Sequence, residues 1–192
     1  MRWFYNLVYI LTWLPVHGLY RLRVSGRENI PDGPCIVCAD HSNFIDPLIV
    51  AIAFGIKHFL HSMSKQENMD MPVLGWIYKM LGAYGVRRGE QDVNAVRTTM
   101  SLLKKGEKVL IFPEGTRTRE DNADAAKTGA VRFAAKLHVP VVPVFLTRNK
   151  SVFHRAYVRI GEPFVPAGKT PEELHAETIW LMEAIYALGE EK

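Results

Sequence analysis

From Gly33 onward, short apolar runs alternate with stretches in which apolar residues recur every three or four positions. That alternation predicts parallel β-α-β units. Residues 34–39 form the first expected strand, 48–54 a buried helix and 59–62 a short strand. Residues 72–81 read as a helix with Val73, Ile77 and Met80 on one side, and 82–86 as a glycine-interrupted strand ending at Arg87-Arg88. Val93, Val96, Met100 and Leu103 are spaced as one apolar helix face. Residues 109–112 are a fully apolar strand, and Ala130, Phe133, Ala134 and Leu137 mark another helix face. Residues 141–146 read as a strand that Pro143 places near a sheet edge, and 158–160 as a further strand. Thr170-Pro171-Glu172-Glu173 supplies an N-cap, a first-turn proline and a capping-box glutamate for the last helix. Leu174, Leu181, Ile185 and Leu188 give that helix an apolar edge, with no chemistry attached to it.

Residues 3–20 do not alternate. They are densely apolar, with Arg2 before them and Arg21, Arg23 and Arg27 after. A membrane-crossing helix needs about 20 mostly apolar residues, and Pro15, His17 and Gly18 interrupt this run. No small-residue cleavage site follows, which argues against a removed signal peptide. Trp3, Tyr5 and Tyr9 with arginines behind suit a helix lying at the headgroup boundary; an ordinary core helix is the competing reading. We read residues 1–24 as membrane-associating, in one leaflet rather than spanning, and 25–192 as the single folded domain that this length accommodates.

Composition changes the picture little: 48% hydrophobic and 23% charged residues describe an ordinary globular chain. A net charge of +4 favours anionic partners, whether phosphate esters, anionic lipid surfaces or nucleic acid, and does not choose among them. The two cysteines, Cys35 and Cys38, precede His41 and invite a zinc or redox reading. On a strand, however, residues three apart point to opposite faces. The expectation is two buried free thiols, consistent with a reducing compartment.

Two polar turns follow apolar strands and carry the candidate chemistry. In the first, His41-Ser42-Asn43-Phe44-Ile45-Asp46, an imidazole can remove a hydroxyl proton while a carboxylate orients it. Five residues along a continuous helix amount to about 500°, so the pair meets only if the chain turns between them. Asp46-Pro47 offers such a turn as a helix start, with Asp46 as N-cap; Asp46 as a plain cap and His41 as a plain loop residue is the alternative. In the second turn, Glu114-Gly115-Thr116-Arg117, Gly115 lets the backbone approach a ligand, Thr116 offers a hydroxyl and Arg117 suits a phosphate. Lys127-Thr128-Gly129 opens a helix whose free N–H groups also favour phosphate, and Lys65 and Arg88 are further cationic candidates. No G-x-S-x-G elbow is present, so the hydroxyl that His41 activates is expected on the substrate.

These residues resemble the blocks of the glycerolipid acyltransferases, specifically the 1-acyl-sn-glycerol-3-phosphate acyltransferases. H-x-x-x-x-D is His41…Asp46, G-x-x-x-x-x-R is Gly82…Arg88, F-P-E-G-T-R is Phe112–Arg117, and the proline-flanked fourth block is Val139–Pro143, in family order. Lys65 and the pair Lys127, Gly129 match its lysine elements. Asp40, Asn43, Asn68 and Gly85 depart from the residues common in the family.

The resemblance implies a mixed, mostly parallel α/β sheet flanked by helices. It also implies acyl transfer from acyl-CoA or acyl-carrier protein to the sn-2 hydroxyl of lysophosphatidic acid. His41 and Asp46 would be catalytic, and Arg117, Lys65, Arg88 and Lys127 would hold phosphate. Glu114, Gly115, Thr116 and Gly129 would shape the site or an oxyanion hole. It implies no metal and no bound cofactor, a membrane lipid surface as partner, no nucleic acid, and a location at the cytoplasmic face of a membrane. Another lyso-lipid acceptor, or a non-catalytic basic membrane- or nucleic-acid-binding role, are the competing readings.

Overall fold

The computed structural model describes residues 2–87, 92–118 and 120–190. Its strands are β1 (Arg23–Ser25), β2 (Cys35–Ala39), β3 (Leu60–Lys65), β4 (Tyr84–Val86), β5 (Lys108–Ile111), β6 (Val141–Leu146) and β7 (Tyr157–Ile160). They form one sheet in the order β1-β7-β6-β2-β5-β3-β4. Every neighbouring pair is parallel except β6 with β7. Strands β6, β2, β5, β3 and β4 therefore all end on one edge of the sheet, where open α/β sheets bind ligands.

The helices are α1 (Arg2–Tyr20), α2 (Asp46–Phe54), α3 (Gln66–Asp70), α4 (Leu74–Met80), α5 (Val93–Lys104), α6 (Gly129–Leu137) and α7 (Pro171–Glu190). They cover both faces of the sheet. Cys35, Val37 and Ala39 of β2 pack into one core with α2 and with Val16 of α1. Ile36 and Cys38 pack into the other, with α6 and α7. Cys35 and Cys38 are thus free thiols on opposite faces, as strand periodicity requires, and burial pushes both thiol pKa values up. In α7 the capping box forms, Thr170 Oγ1 accepting from Glu173 N at 3.2 Å and Glu173 Oε2 from Thr170 N at 3.0 Å.

Two expectations are corrected. β6 is an interior strand between β2 and β7, not an edge. It tolerates Pro143 because that residue lies past the last paired residue of β7, and its carbonyl still accepts from Gly161 N at 2.8 Å. The apolar face of α5 is rotated: Val93 and Val96 are exposed, while Ala95, Thr99 and Leu103 are buried. Small side chains let the helix lie close to the sheet, and the Thr99 hydroxyl is satisfied by Ala95 O at 2.8 Å and Tyr84 OH at 2.8 Å. Strand β1 and helix α3 were not expected at all; at three and five residues they are too short to show a period.

Helix α1 continues through Pro15. Its Val16 and Tyr5 are buried, whereas Trp3, Leu7, Ile10, Leu11, Trp13, Leu14 and Leu19 are exposed. Tyr5 and Tyr9 hydroxyls reach His58 O and Ile52 O, each at 3.4 Å, and Phe4 meets the Trp76 ring of α4 at 5.4 Å edge-on. Among the described residues no helix is long and apolar enough to cross a membrane.

Candidate active site

Strand β2 is apolar on both faces, so its polar continuation, Asp40-His41-Ser42-Asn43, must leave the sheet at the strand's C-terminal edge. The chain turns there as predicted, and His41 Nδ1 lies 2.9 Å from Asp46 Oδ2. The Asp46 carboxylate does not cap α2, which corrects the N-cap expectation. It points backward, where Oδ2 also accepts from the backbone N–H of Ser42 at 2.8 Å and of Asn43 at 2.7 Å. An aspartate whose own helix start carries Pro47 has fewer helix amides to cap, and here the preceding turn supplies the donors instead.

Asp46 is fully buried and the His41 side chain is 14% exposed. Burial pushes the Asp46 carboxyl up, but the hydrogen bond with His41, the Lys150 charge and the Asn43 amide outweigh it and hold it below its ordinary value. Asp46 is thus anionic at neutral pH, which fixes the His41 proton on Nδ1 and leaves the Nε2 lone pair free. Nε2 has no hydrogen-bond partner among the described residues. The imidazole also stacks on Phe112 at 4.1 Å between centroids and 21° between planes, which fixes its plane.

The turn after β5 clamps His41 from the other side. Glu114 Oε2 accepts from His41 N at 2.8 Å, and His41 O accepts from Thr118 N at 2.8 Å. Gly115 has φ +71°, a left-handed conformation that favours glycine. Lys127 is drawn against this turn: its N–H donates to Pro113 O at 2.8 Å, and its Cγ stands 3.7 Å from where a Gly115 Cβ would be. Thr116, Arg117 and Lys127 are exposed. The Arg117 charge is close enough to the Tyr78 hydroxyl to offset in part the upward push of burial there, and Tyr78 meets Phe44 edge-on at 6.5 Å. Arg117 therefore lies toward Tyr78 of α4, and its chain neighbour Thr118 bonds the His41 carbonyl. Gly129 opens α6 directly behind Lys127.

Lys65 ends β3 on the same edge of the sheet, half-exposed, with Glu67 at 3.9 Å. Arg88 lies outside the described residues. Gly82, the glycine of the same block, adopts φ +86°, and a Cβ there would stand 2.7 Å from the Phe59 ring.

A third wall, from the turn after β6, was not anticipated. Arg148 bonds Glu114 Oε1 at 2.8 Å, Asp121 Oδ1 at 2.8 Å and Thr118 O at 3.0 Å, with Asp40 Oδ2 at 3.9 Å. Its guanidinium lies over the Tyr186 ring at 5.3 Å, and the Tyr186 hydroxyl reaches Glu114 Oε1 at 3.4 Å. Helix α7, to which the sequence attached no chemistry, thus braces the site. Burial pulls the Arg148 pKa down, but Glu114, Asp40 and Asp121 together raise it. Lys150 places its ammonium 2.9 Å from Asp46 Oδ1. Thr147-Arg148-Asn149-Lys150 carries the same signal as the other two turns, an apolar strand followed by a polar exit.

An α/β sheet with a buried carboxylate, an oriented imidazole and exposed cations at adjoining strand ends has the groups that base-assisted group transfer to a hydroxyl requires. The comparisons narrow that class. A family model described as Acyltransferase matches residues 21–147. The chain is 33% identical over 149 residues to a 1-acyl-sn-glycerol-3-phosphate acyltransferase of Bacillus subtilis, covering 74% of this chain and 73% of that protein. It is 34% identical over 137 residues to a chloroplastic 1-acyl-sn-glycerol-3-phosphate acyltransferase of Brassica napus, covering 69% of this chain but 39% of that protein. It spans about two fifths of the length of such plant relatives. The crystal structure of the 1-acyl-sn-glycerophosphate acyltransferase PlsC from Thermotoga maritima shares the fold, with a TM-score of 0.67 and 22% identity over 100% of this chain and 99% of that one. The chain belongs to the acyltransferase family.

Proposed function

We propose that this protein transfers a fatty acyl group from a thioester, acyl-CoA or acyl-carrier protein, to the sn-2 hydroxyl of 1-acyl-sn-glycerol 3-phosphate, yielding phosphatidic acid. The observation that carries this reading is the 2.9 Å contact from His41 Nδ1 to Asp46 Oδ2, which leaves Nε2 free to take a proton. The names of the relatives support the acceptor.

In this mechanism His41 Nε2 removes the sn-2 hydroxyl proton as the oxygen attacks the thioester carbonyl. The C–O bond forms, the C–S bond breaks, and the proton on His41 passes to the departing sulfur. Asp46 stabilises the imidazolium that forms between the two transfers. No acyl-enzyme is required. Arg117 holds the acceptor phosphate, helped by Lys127, Lys65 and Arg88. The Gly115 N–H is used inside the turn, on Phe112 O at 3.0 Å, so the Thr116 backbone N–H is the donor offered to the developing oxyanion, while Glu114 acts on the polypeptide itself by fixing the His41 backbone. The exposed apolar face of α1, followed by Arg21, Arg23 and Arg27, lies on the cytoplasmic leaflet from which a lipid acceptor is drawn.

The test is thiol release by the purified protein given acyl-CoA or acyl-carrier protein with lysophosphatidic acid, other lyso-lipids or monoacylglycerol, with products identified by mass. Phosphatidic acid as the dominant product supports the reading. Equal turnover of monoacylglycerol removes the phosphate site from it, and no release with any pair refutes it.

A further inference from the structure

We propose that Lys150 is a positioning residue of the catalytic pair, holding Asp46 charged and aimed at His41 from the far side of the carboxylate. This rests on the acyl-transfer reading of His41 and Asp46 and adds a third member behind them. Lys150 lies just beyond the segment matched by the family model.

The two oxygens of Asp46 are served differently. Oδ2 receives His41 and the amides of Ser42 and Asn43. Oδ1, equally buried, accepts no hydrogen bond among the described residues, and the Lys150 ammonium stands beside it at 2.9 Å as an ion pair. The ammonium donates inside the protein to Ser42 Oγ at 3.1 Å and to Thr147 O, and its charge stands 2.9 Å from Asp46 Oδ1. The Lys150 side chain is 1% exposed, so it has no solvent path for a substrate phosphate. It is set apart in this from Arg117, Lys127 and Lys65, which are exposed.

Burying an ammonium is costly, and a buried ion pair often stabilises a fold no better than apolar residues of the same volume. What the pair provides is geometry and charge. With Oδ1 anchored, the carboxylate is held with Oδ2 toward Nδ1. With a cation beside it, the carboxylate stays ionised in a site where desolvation alone favours the acid. The charged and titratable groups around it are Asp40 and His41 from the β2 exit, Glu114 from the β5 turn, and Arg148 and Lys150 from the β6 turn. Arg148 is taken up by Glu114 and Asp121 at 2.8 Å each, which leaves Lys150 as the cation on Asp46.

Lys150→Met should lower kcat about 10- to 100-fold with the acceptor KM little changed, because the group acts through His41 rather than on substrate. The acid limb of kcat against pH should move up by about one unit, since removing an adjacent cation raises a carboxylate's pKa by that order. In an Asp46→Asn background the same change should cost under about threefold, because there is no charge left to hold. Lys150→Arg should recover part of kcat. An equal loss in both backgrounds with an unmoved acid limb overturns the proposal and leaves Lys150 a folding residue. The carboxyl carbon of Asp46, followed by NMR against pH, separates this proposal from the acyl-transfer reading. If no acceptor is turned over, an upward shift of its titration in Lys150→Met still supports the role, and an unshifted titration overturns it. If Lys150→Met does not fold, the wild-type Lys150 ammonium signal decides: movement on the Asp46 titration supports the pairing, and independence from it overturns it.

Discussion

Glu114 accepts a hydrogen bond from the backbone N–H of His41 at 2.8 Å, across 73 residues of chain. The Phe112–Arg117 turn therefore fixes the main chain of His41, the proposed base, before any substrate arrives. The other Glu114 oxygen holds Arg148 at 2.8 Å, and the Glu114 side chain is 4% exposed. Removing one member of a buried pair leaves a buried charge uncompensated, at about 3–5 kcal/mol. Glu114→Ala should lower the unfolding free energy by about that order and cut kcat, both read on one preparation by denaturant melts and thiol release. Glu114→Gln, which keeps an acceptor for His41 N, should fall between. A Glu114→Ala protein of wild-type stability and turnover contradicts the bracing role.

Arg117 is exposed, its charge reaches Tyr78, and in the proposed mechanism it meets the acceptor phosphate. A charge-assisted hydrogen bond contributes about 1.5–3 kcal/mol, so Arg117→Ala should weaken the kcat/KM for lysophosphatidic acid by about tenfold or more. The same change should leave turnover of monoacylglycerol, which lacks the phosphate, within about twofold. Equal losses on both acceptors contradict a phosphate role.

Asp40 is fully buried, and burial pushes its carboxyl up to about 7 despite the Leu146 amide, Arg148 and Lys150. One oxygen accepts from Leu146 N at 2.6 Å; the other has no hydrogen-bond partner among the described residues. A carboxyl raised in the folded state binds protons there that the unfolded chain has already released. Stability therefore falls as pH rises from the ordinary carboxylate value to about 7. Asp40→Asn keeps an acceptor for Leu146 and cannot ionise. Its melting temperature should exceed the wild type's by more at pH 8 than at pH 5; the opposite ordering contradicts the burial account.

The exposed side chains of α1 predict lipid contact. Leu11→Glu with Leu14→Glu should reduce co-sedimentation with anionic vesicles while leaving the melting temperature unchanged, since both residues point away from the core. Undiminished vesicle binding contradicts a docking role for this helix.

Much of the architecture was legible because fully buried strands read as unbroken apolar runs, as in Cys35–Ala39. The same alternation placed the two cysteines on opposite faces. The two polar turns were legible for a related reason: a charged stretch directly after such a run has to emerge at a strand end. What was hidden depended on contacts remote in sequence. The buried face of α5 is made of Ala95, Thr99 and Leu103, and hydrophobicity alone favours Val93 and Val96 instead. Pro143 marks an edge only if its own side of the strand has a neighbour to lose, and β7 has already ended there. Nothing local directs Lys150 onto Asp46, or Tyr186 onto Glu114; the parallel order of β6, β2 and β5, with α7 packed on β6, brings them together.

The central claim is that His41, aligned by Asp46, moves the proton in acyl transfer. The most direct measurement is kcat for thiol release with lysophosphatidic acid by wild type and by a folded His41→Ala variant at saturating acyl donor. General-base assistance contributes about 10²- to 10⁴-fold, so the variant should lose at least 100-fold while keeping the wild-type melting temperature and vesicle binding. Turnover by His41→Ala within a few-fold of wild type would contradict the account.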